Sequence, residues 1–137
     1  MSAPDALCTI LPRPDLGILI VRWAADAPAD QLRQQYAAIL AAAQQAQLGR
    51  WLLDVRRRDQ LDPEIGQWTT HVFYPHAATV LQPAALRMSV LCSPARLAVY
   101  EANPAQQQYL GYGLAAERPY QLRLFIDEGP AMQWLLA

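Results

Sequence analysis

The residues best placed to do chemistry lie in the stretch 50–68, RWLLDVRRRDQLDPEIGQW. A short apolar run ends in Asp54, and Arg56, Arg57, Arg58 and Asp59 follow almost at once. Arginine's planar fork suits carboxylate and phosphate alike, so three in a row at the end of a strand form a candidate ligand or partner site. The plainer expectation is that Asp54 caps the loop's amides or pairs with one arginine while the others stay solvated. Trp68, on the helix that follows, joins the candidate set as an aromatic able to face a ligand or a partner.

A catalytic reading asks for more parts. Asp54 or Glu64 can serve as a base, but nothing nominates a nucleophile beside either. Ser89 and Ser93 have no G-x-S-x-G setting. His71 and His76 stand five apart with Pro75 between them, whereas metal pairs on a helix stand four apart. No catalytic residue, metal site or cofactor is therefore expected, and an enzyme ranks last among the readings.

Composition narrows the field further. The chain has 137 residues, enough for one core. Its hydrophobic fraction is 53% and its charged fraction 17%, which suggests extra buried surface at an interface or in an apolar pocket. All 11 basic residues are arginine and the net charge is -1, so no cationic face for nucleic acid is expected. With no lysine, Schiff-base chemistry and a phosphate-loop lysine are excluded. The first ten residues, MSAPDALCTI, do not read as a signal peptide, and no apolar run reaches the roughly 18 residues of a membrane span. Cys8 and Cys92 read as buried free thiols, which fits a reducing cytoplasm.

The frame that must position these residues is legible from periodicity and punctuation. Apolar runs at 7–11 and 17–23, separated by Pro12-Arg13-Pro14-Asp15, predict a β-hairpin. Asp26-Ala27-Pro28 predicts a helix start with Pro28 as the first helical residue. Leu32, Tyr36, Ile39, Leu40 and Ala43 share one face of that helix, and Gly49 is placed to stop it. A buried strand at 51–55 follows. Asp62-Pro63 starts the next helix, with Ile65, Trp68, Thr69 and Val72 inward, and Tyr74-Pro75 is expected to end it. A strand at 86–92, short helices at 94–101 and 104–110, a strand at 120–126 and a helix capped by Asp127 complete the chain. Met132, Trp134, Leu135 and Leu136 are the apolar residues of that last helix. Tyr109, Tyr112 and Tyr120 flank Gly111 and Gly113, which marks a lid or an interface. The order predicts an α/β fold: a single mixed sheet of about five strands, opening with the hairpin, within one domain spanning 1–137.

The hairpin before a long helix, LLDVRRRD before the helix of Trp68, the strand LRMSVLCSP and the ending LRLFIDEGPAMQWL together resemble the STAS domain, in its SpoIIAA-like branch. That branch is often described alongside the lipid-binding SEC14 domains. The resemblance covers most of the chain and implies a bacterial regulatory or scaffold protein acting by protein–protein binding. It departs in one respect. Phosphorylatable members carry a serine where the central strand's loop meets the next helix, and 56–64, RRRDQLDPE, holds no Ser or Thr. A switch that works through a phosphate's charge is therefore not implied.

The leading expectation is a non-enzymatic, STAS-like interaction domain that binds a protein partner or a second copy of itself. The alternative is a binder of a small apolar or anionic, lipid-like ligand near the 54–68 loop.

Overall fold

The computed structural model describes residues 7–137. The segment 1–6, which holds much of the stretch read for a leader, lies outside the described residues. Strand β1 (Cys8–Arg13) and strand β2 (Ile18–Trp23) form the expected hairpin. Its turn falls at 14–17, two residues later than the sequence suggests. Leu16 N–H donates to Arg13 O at 3.0 Å, and Gly17 supplies the positive φ of 72° that the turn needs. Pro12 stays within β1. The hydrogen-bonded pairs alternate from Leu7–Ala24, so Pro12 faces away from β2 and its missing N–H breaks no ladder bond.

Helix α1 (Ala29–Ala46) begins with Pro28 as its N-cap, not as its first helical residue. The Asp26 carboxylate accepts from Gln60 N–H at 2.9 Å instead of capping the helix. The helix ends at Gln47, in the left-handed region, before Gly49 is reached. Gly49 has another duty: a Cβ there would sit 2.1 Å from Ala85 O, so only glycine lets these backbones meet.

Strand β3 (Arg50–Asp54) leads through a charged loop to α2 (Pro63–Trp68). Asp62 caps α2, accepting from Glu64 N–H at 2.9 Å. Pro75 does not end this helix. A π-helical turn, Thr69–Phe73, carries the chain straight into α3 (Tyr74–Leu81). The wider turn shifts the buried face by about one residue. Thr70, Phe73 and Tyr74 are buried as a result, while Val72, expected inward, is 55% exposed.

Strand β4 (Arg87–Leu91), α4 (Pro94–Ala102), α5 (Pro104–Leu114), β5 (Gln121–Phe125) and α6 (Glu128–Leu136) follow. Ser93 Oγ and the Asn103 side chain accept the N-cap bonds of α4 and α5, as Ser-Pro and Asn-Pro foretell. Asp127 stands at the N-cap of α6 without a side-chain cap bond. Gly113 lies inside α5, packed against Thr70 and Leu122.

The sheet runs β1-β2-β3-β4-β5, with β1 antiparallel and the rest parallel. This is an α/β fold with a single mixed five-stranded sheet. Right-handed crossovers that always step the same way keep their helices on one face. That inner face carries the large core around Trp51, Leu53, Ile39, Phe73 and Met88. Helix α6 follows the last strand and covers the outer face, burying Ala131 and Leu135 on Ile18, Leu52 and Leu91. Both cysteines are buried free thiols. No described helix is long and apolar enough to cross a membrane.

Candidate functional site

The loop after β3 is divided by the sheet. Arg58 N–H closes a turn on Val55 O at 3.1 Å. That turn sends Arg56 and Arg57 to the outer side and Arg58 to the inner side.

On the outer side Asp54 is saturated with donors. One carboxylate oxygen accepts from Arg56 N–H at 3.2 Å and Arg56 Nε at 3.0 Å. The other accepts from Arg56 Nη2 at 2.9 Å and Arg22 Nη1 at 2.8 Å. Arg22 Nη1 also donates to Glu128 Oε1 at 2.7 Å, which ties the first turn of α6 to the sheet. Burial alone raises the Asp54 carboxyl, but the bonds from Arg56 and Arg22 outweigh it and hold the group below the usual aspartate range. A general base works best with its pKa moved up toward neutrality, so the donors around Asp54 suit an anchor. Arg22 and Glu128 were not singled out in the sequence. The strand register offers the signal for Arg22, which lies directly beside Asp54 across β2 and β3. Arg57 and Asp59 are exposed, and neither forms an ion pair among the described residues.

On the inner side Arg58 is 6% exposed and stacks over the Trp23 ring at 5.1 Å. Beyond it lies a partly open cavity of about 60 Å³ between the sheet and α2, α4 and α5. Arg96 of α4 enters the same cavity and is 9% exposed. Arg96 Nε donates to the Tyr100 hydroxyl at 2.9 Å and Nη1 to Arg58 O at 3.1 Å. Burial pushes the Tyr100 and Tyr109 hydroxyls up, so both stay neutral at ordinary pH. Arg96 carried no weight in the sequence reading, yet it leaves a trace there. It stands in the first turn of α4, where the helix dipole favours acids. Trp68 does not line the cavity. It stacks on Phe73 at 5.5 Å and meets Tyr36 edge-on at 5.9 Å, with Arg33 over its face at 5.6 Å.

In the Tyr109–Tyr120 region, expected as a lid or interface, the three tyrosines are engaged within the chain, while Leu114 is exposed. The Tyr120 hydroxyl donates to Thr70 O at 2.7 Å. Tyr112 stacks on His71 at 3.6 Å, with Arg118 3.5 Å from the same ring. His71 is thereby engaged with a tyrosine and with the Thr70 hydroxyl.

The outer face holds one more feature. Arg50, Arg87 and Arg123 form a staggered row on β3, β4 and β5: Arg50 faces Arg87, whereas Arg123 stands opposite Ser89. None has a carboxylate within 4.0 Å among the described residues, but Arg87 is held by Trp134 O and the Gln121 side chain. Burial first, then repulsion from Arg50 and Arg123, lowers the pKa of Arg87. Beside this row β5 is an edge strand. The bonds from Gln121 N–H to Leu86 O and from Cys92 N–H to Phe125 O fix its alternation. Leu122 and Leu124 therefore turn their N–H and C=O groups outward. An open groove of Leu97, Leu124, Phe125 and Ile126 runs alongside.

No family model matches this chain, and neither does any curated protein or solved structure.

Proposed function

We propose that this chain is a non-enzymatic, STAS-like interaction domain, a bacterial cytoplasmic regulator or scaffold, that docks an extended acidic segment of a protein partner along β5. The observation that carries the reading is the open β5 edge, which bears Arg123 on its outer face with no acid partner among the described residues. An added strand would satisfy the outward groups of Leu122 and Leu124, which is how β-augmentation gains affinity. Its alternate side chains would meet Arg123 on the outer face, so an acid at that position complements it. The other edge is less receptive, because Pro12 on its free side offers no donor.

Self-pairing is the weaker version of this reading. An antiparallel β5–β5 pair centred on Arg123 sets two guanidinium groups against each other, and like charges directly opposite destabilise a sheet. An acidic heteropartner removes that conflict. A lipid-like ligand finds little support. A cavity of about 60 Å³ is well below the roughly 150 Å³ that accommodates benzene.

The test uses the wild-type chain and Arg123→Glu as baits in extract of the source organism, followed by amide exchange on the complex recovered. The reading expects a partner held by wild type and lost by R123E at an unchanged melting temperature. It also expects protection of the Leu122 and Leu124 amides in the complex. A partner retained equally by R123E, or no change in exchange along β5, would sink it.

A further inference from the structure

We propose that the inner cavity is a binding site for a small monoanionic carboxylate, held between Arg58 and Arg96. The proposal does not depend on what β5 docks. It rests on two arginines, each more than nine-tenths buried as a residue, that line one cavity with no carboxylate within 4.0 Å among the described residues. Among those residues no fully buried side-chain nitrogen lacks a partner, so their unused donors open onto water-sized space. Arginine does not deprotonate in proteins, so these groups cannot shed their charge as a buried lysine can. A buried charge calls for a counter-ion or a dense set of hydrogen bonds.

The local structure meets part of that need. Arg96 spends Nε on Tyr100 and one Nη1 proton on Arg58 O, which leaves Nη2 unused. Arg58 rests on the Trp23 ring, and its guanidinium makes no hydrogen bond among the described residues. Tyr36 and Tyr74 line the same cavity, and their hydroxyls have no hydrogen-bond partner among those residues either. Unused donors from β3's loop, α1, α3 and α4 thus converge on one space. The acceptor of the Gln106 side chain is already occupied by the Tyr109 hydroxyl, and its amide by Leu61 O.

Size, shape and charge then select the ligand. Leu53, Val90, Leu122 and Leu124 form an apolar floor beneath the arginines. About 60 Å³ admits a group of a few heavy atoms. Asp62 stands at the rim with its carboxylate capping α2. Two arginines and one aspartate leave a surplus of one positive charge, which balances a monoanion and repels a second negative charge. A planar carboxylate also fits the arginine fork edge-on.

The experiment titrates the full chain with formate, acetate and propionate, and separately with inorganic phosphate, at pH 7.5. Amide chemical shifts and melting temperature are followed together. The proposal expects saturable shifts confined to the 55–58 turn, α2 and α4, with a rising melting temperature as ligand is added. At least one carboxylate should bind at least tenfold tighter than phosphate. Arg58→Gln should weaken that binding at least tenfold, whereas Arg57→Gln, the next residue but on the outer side, should leave it unchanged. Tyr74→Phe keeps the ring and should weaken binding several-fold, which preserves the test if R58Q does not fold. No saturable shift in wild type with any carboxylate overturns the proposal. So does phosphate binding as tightly, or unaltered binding in a folded R58Q or Y74F.

Discussion

The Tyr109 ring lies flat against the backbone of Gly66: a Cβ at that glycine would come within 2.3 Å of Tyr109 Cζ. Helices α2 and α5 meet through this contact, and it brings Tyr109 into the cavity wall. Alanine is ordinarily the better helix former by about 1 kcal/mol. Here the sign reverses, because an added methyl must displace a buried ring. Gly66→Ala should destabilise the chain by about 1–3 kcal/mol in urea unfolding. Gly111→Ala, on open space in α5, should instead stabilise it by about 0.5–1 kcal/mol. Equal midpoints for the two variants would mean that Tyr109 swings clear at no cost.

The anchoring role of Asp54 predicts a pH signature. Its carboxyl titrates below the ordinary range, since the bonds from Arg56 and Arg22 outweigh burial. A depressed folded pKa contributes stability that is complete above the unfolded value, about 3.9, and is lost as pH falls through the folded value. Asp54→Asn should therefore cost about 1–3 kcal/mol at pH 7. The gap between variant and wild type should narrow steadily below pH 4. A gap that stays constant to pH 2 would assign the loss to packing instead.

Tyr120 predicts the opposite slope. Burial pushes its hydroxyl up to about 12, and that hydroxyl donates to Thr70 O. Because the folded state holds the proton more tightly, this contribution is full below the unfolded value of about 10 and fades as pH rises through 12. Tyr120→Phe should cost about 1–2 kcal/mol at neutral pH and flatten stability between pH 10 and 12. Ultraviolet titration should show one tyrosine fewer ionising late in the variant.

Two tryptophans should separate in their cost. Trp51 is fully buried and its indole N–H donates to Leu48 O at 2.9 Å. Trp68 keeps part of its surface in solvent between Phe73, Tyr36 and Arg33. Trp51→Ala should cost about 3–5 kcal/mol by chemical denaturation, and Trp68→Ala measurably less. An equal loss at Trp68 would place it deeper in the core than its exposure indicates.

Legibility tracked how local the deciding chemistry was. Asp62, Ser93 and Asn103 cap helices because a side chain and an amide two or three residues away suffice. The chain order of strands and helices followed from alternating periods and from prolines, glycines and caps between them, whereas the order of strands in the sheet came from the structure. Pro75 and Val72 misled because the π turn at 69–73, which packs against α5, leaves no punctuation of its own. Arg56 and Arg58 illustrate the same limit at the site. They are two residues apart and chemically identical, and the direction of one turn puts them on opposite faces of the sheet. Arg96 needed the fold to bring it 38 residues back to Arg58 O.

The two sheet edges differ in what they permit. A sheet receptive on both sides can join copy to copy without limit and grow into a fibre. Here Pro12 removes a donor from one side, while β5 presents the outward groups of Leu122 and Leu124 on the other. Strand addition at β5 leaves no equally receptive edge behind it. Assembly through this sheet would then be self-terminating, with a stoichiometry of one incoming strand per chain.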